Sequence, residues 1–251
     1  MSYSPQETLL YDLSNRPASF DAVTCLATAV ALGMKHVRFV YGSWKPKNYS
    51  VDQAERRWRS IVEPAVSLYG LTYSIGERMG IEVNHILAAA VKVYNQTGEI
   101  GKILTFCKWG DYVTVTLRKS RNPERDSKEE EWRKFAERCD RKVVFLKDNE
   151  DCNLDLQDRM KLYAGAYLNM MVIHGPLTLC IHSDAPYVSM RTIGCEFSGS
   201  TSPKQFTKLT GLSHGEQFPW AGPNQYLSYR DDTCENIEYE YRQMIEERKA
   251  A

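Results

Sequence analysis

The sequence predicts an α/β fold built on a Rossmann-like parallel sheet with helices on both faces. Residues 111–190 alternate strand and helix patterns in the order β-α-β-α-β-α-β, and this alternation favours parallel strands joined by helical crossovers. Within it, residues 169–187 pass from a buried strand through a tight turn into a short helix and a second strand. The composition, 43% hydrophobic with 8 Phe, 5 Trp and 15 Tyr, indicates a packed core rather than disorder.

A reduced N-terminal α/β region is expected over residues 1–105. Residues 1–18 are polar and are interpreted as a leading arm or loop. Ser50 and Gln53 form a capping-box pattern at the start of a helix that Pro64 should kink or split. The elements expected here are a helix over 20–32 capped by Ser19, a mostly buried strand over 36–41, the kinked helix over 51–69 and a helix within 81–95.

The second region, residues 106–251, carries the cleaner pattern. Ser127 and Glu130 form a capping-box pattern that opens a helix with Trp132 and Phe135 on its inner face. Residues 194–230 are interpreted as a loop-rich segment. The other elements expected here are strands over 112–117, 142–146 and 169–173, helices over 156–167 and 177–183, and a final amphipathic helix over 232–248.

The charge balance and the cysteines argue against nucleic-acid binding and favour a cytoplasmic protein. Lys plus Arg and Asp plus Glu both number 32, whereas a nucleic-acid-binding protein usually carries a basic excess. The seven cysteines include no CxxC pair, which favours reduced thiols in a cytoplasmic protein. No apolar run approaches the roughly 18–20 residues needed to span a bilayer, and the N-terminal residues lack the pattern of a secretory signal. Stable membrane insertion is therefore not expected.

The turn His174-Gly175-Pro176 is the first candidate site. A strand that turns sharply into a helix can aim backbone N–H groups at an anion above the sheet. Gly175 would allow a phosphate to approach closely, the amide of Leu177 would face it, and Thr178 would add a hydroxyl. The alternative is an ordinary strand-to-helix turn that uses Gly and Pro for its geometry.

Arginines follow the first strand of the second region. Arg118 and Arg121 flank Ser120, and two guanidiniums at the carboxyl end of a strand suit a diphosphate because each can bind oxygens bidentately. Asp148 ends the next strand and lies at the same expected edge of the sheet. The alternative is a solvated basic loop that is balanced by the acidic residues after it.

The segment 214–220 is rich in recognition groups. Glu216 and Gln217 could hold sugar hydroxyls, and Trp220 could stack on a ring face. The alternative is a packed loop in which Phe218 and Trp220 fill a hydrophobic gap.

Two other chemistries are not favoured. His182, Ser183 and Asp184 are adjacent in sequence, but neighbours on one helix point in different directions and do not form a hydrolase triad. No Gly-x-Ser-x-Gly nucleophile elbow occurs. The histidines and cysteines show no metal-ligand spacing, so no metal site is expected.

Residues 111–248 resemble the C-terminal, donor-binding half of GT-B glycosyltransferases, most closely the heptosyltransferase-like group. That group has a strand ending in a loop, a helix with a Trp and a Phe-Ala pair, a second strand, a helix rich in small residues, and a strand ending in an Asp-Ser/Thr-Gly-Pro turn. The matching residues are Val113–Arg118, then Trp132, Phe135 and Ala136, then Val143–Leu146, Leu162–Ala166, and Val172–Pro176.

The resemblance implies that Gly175, Pro176 and Leu177 line the phosphates of a nucleotide-sugar, with Arg118 and Ser120 facing them. It also implies transfer without a metal or other cofactor. Ile173 and His174 stand where the group has Asp and Ser/Thr. The group often keeps its acceptor-activating acid in a Gly-Asp loop after its first strand, and no obvious loop of this kind is found here.

The leading hypothesis is therefore a metal-independent glycosyltransferase that moves a sugar from a nucleotide-sugar to an unknown acceptor, a glycan or another molecule. The N-terminal region would form the acceptor side. Candidates for the acceptor base are His174, Asp21 and Glu216. The alternatives are a catalytically inactive GT-B-like protein that binds nucleotides or carbohydrates, and a phage-type enzyme that glycosylates DNA bases. The oligomeric state is left open.

Overall fold

The protein contains two parallel β-sheets with helices packed against them. The computed structural model describes residues 8–13, 18–40, 50–76, 81–82, 86–104, 110–120, 123–148, 155–191 and 202–250. The first sheet has the order β3-β2-β1-β4 and the second the order β6-β5-β7-β8-β9, and every strand pair in both is parallel. The predicted fold class is confirmed.

The first sheet and its helices come from the N-terminal part of the chain. Its strands are β1 (Thr8–Asp12), β2 (His36–Val40), β3 (Thr72–Ile75) and β4 (Ile81–Glu82). Its helices are α1 (Asp21–Ala31), α2 (Val51–Arg57), α3 (Glu63–Leu68) and α4 (Ile86–Thr97), with a π-helical turn, Trp58–Val62, between α2 and α3.

The prediction that residues 1–18 form an arm is wrong, because β1 lies inside the first sheet. It pairs with β2 on one side and with β4 on the other, and all five of its residues are buried. The strand offers only three consecutive apolar residues, too few for periodicity to predict it. Its two neighbouring strands lie far along the chain.

The predicted interruption of the second helix is confirmed. Ser50 Oγ accepts a hydrogen bond from the Gln53 amide at 3.2 Å, and the Ser50 amide donates to Gln53 Oε1 at 2.8 Å, so the capping box is present. Pro64 has no N–H to donate to the preceding turn. The chain widens into the π-helical turn just before it, where the Glu63 amide donates to the carbonyl of Trp58.

The second sheet follows the predicted alternation up to residue 190. Its strands are β5 (Tyr112–Arg118), β6 (Lys142–Asp148), β7 (Leu168–Val172), β8 (Tyr187–Met190) and β9 (Gln225–Leu227). Its helices are α5 (Glu129–Arg138), α6 (Leu156–Gly165), α7 (Leu177–Ile181), α8 (Pro203–Thr210) and α9 (Cys234–Ala250).

Two predictions in this region are corrected. Residues 194–230, predicted to be loop-rich, contain α8 and the edge strand β9, whose three residues pair with β8. The capping box at Ser127 and Glu130 is absent, because Ser127 Oγ accepts instead from the amide of Arg118 at 2.9 Å and Lys128 precedes the helix without a side-chain cap.

The two sheets share one core along α1 and α7. Thr178 Oγ1 donates to the carbonyl of Phe20 at 3.2 Å, and one turn further His182 Nε2 lies 3.0 Å from Thr24 Oγ1. The two helices therefore run side by side in the same direction. A hydrophobic cluster extends from Leu9 and Phe39 of the first sheet to Met171 of the second, and α5 and α9 cover the opposite face of the second sheet. The predicted division near residue 105 falls between the two sheets along the chain and stays a prediction.

Candidate functional site

The second sheet has a topological switch point between β5 and β7. The chain leaves β5 toward α5 on one face of the sheet and leaves β7 toward α7 on the other, which opens a crevice at the carboxyl ends of the two strands. Ligands of open α/β sheets bind in such crevices. Arg118 ends β5, and its Nη1 donates to the carbonyl of Ile173 at 2.7 Å. The structure thus brings Arg118 to the base of the His174-Gly175-Pro176 turn.

A basic cavity lies beside the end of β5. It has a volume of about 250 Å³. Arg118 and Lys119 at the end of β5 and Lys147 of β6 supply three positive charges to its wall, against the carboxylates of Asp126 and Glu129. The other lining residues are Leu117 and Ser127. The cavity therefore carries an excess of positive charge at the edge of the sheet where a ligand is expected.

Hydrogen bonds donated by backbone amides hold the loop after β5. The Ser120 amide donates to Asp126 Oδ1 at 2.5 Å, and the Ser127 amide donates to the carbonyl of Arg118 at 3.1 Å. Asp148 ends β6 and pairs with Arg118 in the register of the sheet. Arg121 lies outside the described residues. Ser120 and Asp148 thus lie at the edge where the sequence places them, and their contact with a ligand stays a prediction.

The His174-Gly175-Pro176 turn packs inward against α1. The amides of Leu177, Thr178 and Leu179 donate to the carbonyls of the turn at 3.0–3.2 Å. A Cβ atom at Gly175 would lie 3.3 Å from the ring of Phe20. The glycine therefore allows the turn to pack closely on α1, and these three amides serve the turn rather than point at an open site.

The side chains of the turn also serve the fold. Thr178 Oγ1 donates to the carbonyls of Gly175 and Phe20. His174 Nδ1 lies 2.7 Å from the carbonyl of Val172. Pro176 precedes the first residue of α7. Phosphate contacts from this turn remain a prediction, and they require its internal hydrogen bonds to be exchanged.

Trp220 fills a hydrophobic gap, which is the alternative to sugar stacking that the sequence left open. Its ring stacks on Phe218 at a centroid distance of 5.2 Å and on His182 at 5.6 Å. Its indole N–H donates to the carbonyl of Ile181 at 2.9 Å. A sugar ring could stack on Trp220 only by displacing one of these two rings.

Glu216 and Gln217 are likewise engaged within the chain. Glu216 Oε2 accepts from the amide of Ser213 at 2.6 Å. Gln217 donates to the carbonyl of Leu227 at 3.0 Å and accepts from its amide at 2.6 Å. The two hydrogen bonds of Gln217 fix β9 to the loop before it, so Gln217 stabilises the edge of the second sheet.

Asp12 is a candidate site residue that the sequence interpretation missed. It ends β1, and β1 lies between β2 and β4, which is the switch point of the first sheet. Its side chain is only 1% exposed. The signal for Asp12 in the sequence is an acidic residue directly after a short apolar run. The prediction of an arm over residues 1–18 concealed this signal.

The carboxyl ends of both sheets lie on the same side of the molecule. α1 begins after β1 and α7 begins after β7, and the first turns of the two helices meet where Thr178 contacts Phe20. Asp21, predicted as a catalytic candidate, is the exposed first residue of α1. The switch points that carry Asp12 and Arg118 are therefore joined through this helix contact.

Arg191 holds the loop that contributes Asp126 and Ser127 to the basic cavity. It follows β8 with φ of 51°, a left-handed conformation that costs energy for a side chain with a Cβ. Its guanidinium donates to the carbonyls of Glu124 and Asp126 in the loop before α5. It also donates to Asp232 Oδ1 at 3.2 Å.

Asp232 is the buried centre of this network. Its Oδ2 accepts from the indole of Trp132 and from the amide of Lys128, both at 2.9 Å. Burial raises the pKa of this carboxyl group, and these donors together with Arg191 oppose the rise. The network ties the loop before α5 to the start of α9.

A wider cavity lies on the outer side of the same loop. It has a volume of about 420 Å³ and includes Lys128, Arg191, Tyr229 and Asp231 in its lining. It shares Asp126 and Ser127 with the basic cavity. One loop therefore separates the two spaces, and Arg191 holds that loop in place.

The described residues contain no group of three or more His, Cys, Asp or Glu side chains arranged to hold a metal ion. In the same part of the chain, every helix is too short or too polar to cross a bilayer.

Solved structures with the same architecture are glycosyltransferases. The E. coli heptosyltransferase WaaC, solved with ADP-2-deoxy-2-fluoro heptose, aligns with a TM-score of 0.51 and 12% identity over 94% of this chain and 99% of that chain. The iron-containing dodecameric glycosyltransferase TibC from enterotoxigenic E. coli aligns with a TM-score of 0.51 and 10% identity over 98% of this chain and 78% of that chain. No family model and no curated protein sequence matches the chain. At this identity the likeness establishes the fold, and the expected GT-B-like, heptosyltransferase-like architecture is confirmed.

Proposed function

We propose that the protein is a glycosyltransferase that binds a nucleotide-sugar at the carboxyl ends of β5 and β6, next to the switch point, and transfers the sugar to an acceptor. The observation that carries the proposal is the basic cavity at the carboxyl ends of β5 and β6, lined by Arg118, Lys119 and Lys147. Doubly wound sheets bind nucleotides at this edge. The glycosyltransferase fold of the solved structures supports the same placement.

The cations supply the chemistry that sugar transfer needs. As the bond between the sugar and the diphosphate breaks, negative charge develops on the departing oxygen, and fixed positive charges lower the energy of that state. Arg118 is oriented by its hydrogen bond to Ile173. Within the described part of the chain, Lys119 and Lys147 donate no hydrogen bond, so both ammonium groups are available to a diphosphate. The proposed transfer is metal-independent.

Asp12 is proposed as the base that accepts the proton of the acceptor hydroxyl. It stands at the switch point of the first sheet, the half expected to hold the acceptor. Among the earlier candidates, Glu216 is engaged with Ser213 and His174 contacts Val172, whereas Asp21 is exposed beside the contact between α1 and α7. Asp12 and Asp21 are therefore the two carboxylates to compare.

The donor site is tested by replacing Arg118. Arg118→Ala removes a charged donor from the cavity wall, and a hydrogen bond to a charged group contributes about 1.5–3 kcal/mol. We expect the Kd for a nucleotide-sugar or its nucleoside diphosphate to rise roughly 10- to 100-fold by isothermal titration calorimetry. Arg242→Ala on α9 is the matched control, because Arg242 is exposed and, among the described residues, forms its ion pair with Glu238.

The donor proposal fails if a folded wild-type protein is stabilised by no member of a panel of nucleoside diphosphates and nucleotide-sugars. If nucleotides bind but Arg118→Ala and Arg242→Ala bind equally well, the site lies elsewhere on the molecule. A salt-sensitive affinity for duplex DNA in place of nucleotide-sugar binding would support the nucleic-acid alternative.

The base is tested by Asp12→Asn beside Asp21→Asn. Loss of a general base typically slows a reaction by about 100- to 10,000-fold, and the amide preserves the size of the side chain. We expect Asp12→Asn to bind the donor normally and to lose transfer, measured as nucleoside diphosphate released in the presence of an acceptor panel. Loss of transfer in Asp21→Asn alone would assign the role to Asp21 instead.

The second candidate function is a nucleotide-binding protein without transfer. The specific observation in its favour is that the first amides of α7 donate to carbonyls of the His174-Gly175-Pro176 turn, and that Gly175 packs close to Phe20. Nucleotide-sugar binding by the wild-type protein, without turnover across a broad acceptor panel, would support it.

A further inference from the structure

Along β2 and the edge strand β3 of the first sheet, apolar side chains lie on one face and a polar cluster lies on the other. Val37 and Phe39 of β2 point toward the helices, where Phe39 contacts Trp58 at a ring-centroid distance of 4.7 Å. Side chains alternate along a strand, so His36 and Arg38 point to the opposite face. The register places them beside Thr72 and Ser74 of β3. Parallel sheets are normally apolar on both faces, so this polar cluster requires an explanation.

The four side chains form a directed chain of hydrogen bonds. Thr72 Oγ1 donates to the carbonyl of Lys35 at 3.1 Å, so it accepts from His36 Nδ1 at 2.8 Å. His36 Nε2 then accepts from Ser74 Oγ at 2.8 Å, and Ser74 Oγ accepts from Arg38 Nε at 3.3 Å. Burial and the charge of Arg38 lower the pKa of His36, in agreement with the neutral ring that this chain requires.

The chain orients Arg38 but leaves its charge uncompensated. Within the part of the chain that the structure describes, Ser74 is the hydrogen-bond partner of Arg38 and no carboxylate forms an ion pair with it, Asp12 on the neighbouring strand included. Arg38 is half-buried. Partial removal of a guanidinium from water without a counter-charge costs free energy, and its two terminal nitrogens form a fork that fits an oxyanion.

We propose that the cluster of His36, Arg38, Thr72 and Ser74 is an oxyanion-binding site in which Arg38 binds a phosphate or carboxylate group through its terminal nitrogens. Ser74, held by His36, fixes the plane of the guanidinium. The cluster belongs to the first sheet, whereas the basic cavity belongs to the second. The proposal therefore goes beyond donor binding and does not depend on it.

The test measures inorganic phosphate binding by calorimetry, with acetate titrated in parallel to distinguish a phosphate from a carboxylate. We expect saturable binding of at least one of these anions to wild-type protein and at least a tenfold rise in its Kd in Arg38→Gln. The control is Arg56→Gln, because Arg56 is an exposed arginine of α2 whose Nε also donates to one oxygen, the carbonyl of Asp52. Arg56→Gln should bind as the wild type does.

A second pair of variants separates this site from the donor cavity. Ser74→Ala keeps the charge of Arg38 but removes the hydroxyl that orients it, and we expect a several-fold loss of anion affinity with unchanged nucleotide binding. Arg118→Gln removes a cation from the basic cavity, and the anion binding that Arg38→Gln weakens should remain in it. The reverse pattern, with binding lost in Arg118→Gln and kept in Arg38→Gln, would assign the anion to the basic cavity and overturn the proposal. Failure of the wild type to bind either anion would also overturn it.

If Arg38→Gln does not fold, Ser74→Ala decides the question, because unchanged anion affinity in that variant rejects the site.

Discussion

Replacing Asp232 with alanine is expected to lower the free energy of unfolding by about 3–5 kcal/mol, the range for breaking a buried ion pair from one side. The carboxylate is 0% exposed. Its loss leaves the guanidinium of Arg191, the indole N–H of Trp132 and the amide of Lys128 without their shared acceptor. Urea denaturation followed by circular dichroism measures the change.

The neighbouring residue provides the control. Asp231 is half-exposed and pairs with Lys128 at the surface, and an exposed ion pair contributes at most about 1 kcal/mol. Asp231→Ala should therefore lose much less stability than Asp232→Ala. Equal losses in the two variants would mean that burial of the carboxylate does not determine its contribution.

The Asp232 network also bears on the proposed donor site. Arg191 and Asp232 hold the loop that carries Asp126 and Ser127, and both residues line the basic cavity. Asp232→Asn keeps the size of the side chain and one acceptor oxygen. We expect it to be more stable than Asp232→Ala and to bind the donor more weakly than the wild type, because the loop is held less firmly.

Lowering the pH from 7 to 4.5 is expected to cost about 2–3 kcal/mol of stability through His182 alone. Burial lowers the pKa of His182 to about 3, while the unfolded chain keeps a value near 6.5. Below pH 6.5 the unfolded state binds a proton that the folded state excludes. Stability is therefore complete above pH 6.5 and falls by roughly 1.4 kcal/mol per pH unit as the pH drops toward 3.

The surroundings of His182 explain why it excludes the proton. Its ring is 0% exposed, stacks on Trp220 and lies 3.0 Å from Thr24 Oγ1. Nδ1 has no hydrogen-bond partner among the described residues. A charged ring at this position would place an unpaired cation between α1 and α7, so acid should weaken the contact that joins the two sheets.

The measurement compares urea denaturation of the wild type and His182→Gln at pH 7 and pH 4.5. The difference in pH dependence between the two proteins isolates His182, because the other titrating groups are common to both. His214→Gln, at an exposed position, keeps His182 and should keep the full acid-dependent loss. An unchanged pH dependence in His182→Gln would contradict the expectation.

The local pattern of the sequence predicted most of the second sheet. The periodicities of α5 and α6 and the apolar runs of β5, β6 and β7 are short-range signals, and each element was found within a few residues of its expected place. The position of Arg118 at the end of β5 followed from the same pattern. The edge where a ligand is expected was therefore available from the sequence.

Long-range pairing hid other elements. β1 and β9 are short strands. The partners of β1 lie far along the chain, and β9 itself lies in a segment rich in turn residues, so neither periodicity nor turn chemistry marked them. Missing β1 also concealed Asp12 as the residue that ends the first strand. The cap predicted at Ser127 failed for a similar reason, since that hydroxyl accepts from Arg118 of the preceding strand.

The sequence by itself determined that this protein is an α/β chain with a Rossmann-like second half and a cationic strand end, because secondary structure and its order depend on nearby residues. Only the tertiary structure decided that the His174-Gly175-Pro176 turn faces α1 and that Trp220 stacks on Phe218 and His182. It also decided that Asp232 is paired with the cation of Arg191, whereas Arg38 has no carboxylate partner among the described residues. Those outcomes depend on which distant groups share a buried space. Hydrogen-bond partners and desolvation are properties of that space rather than of any one segment.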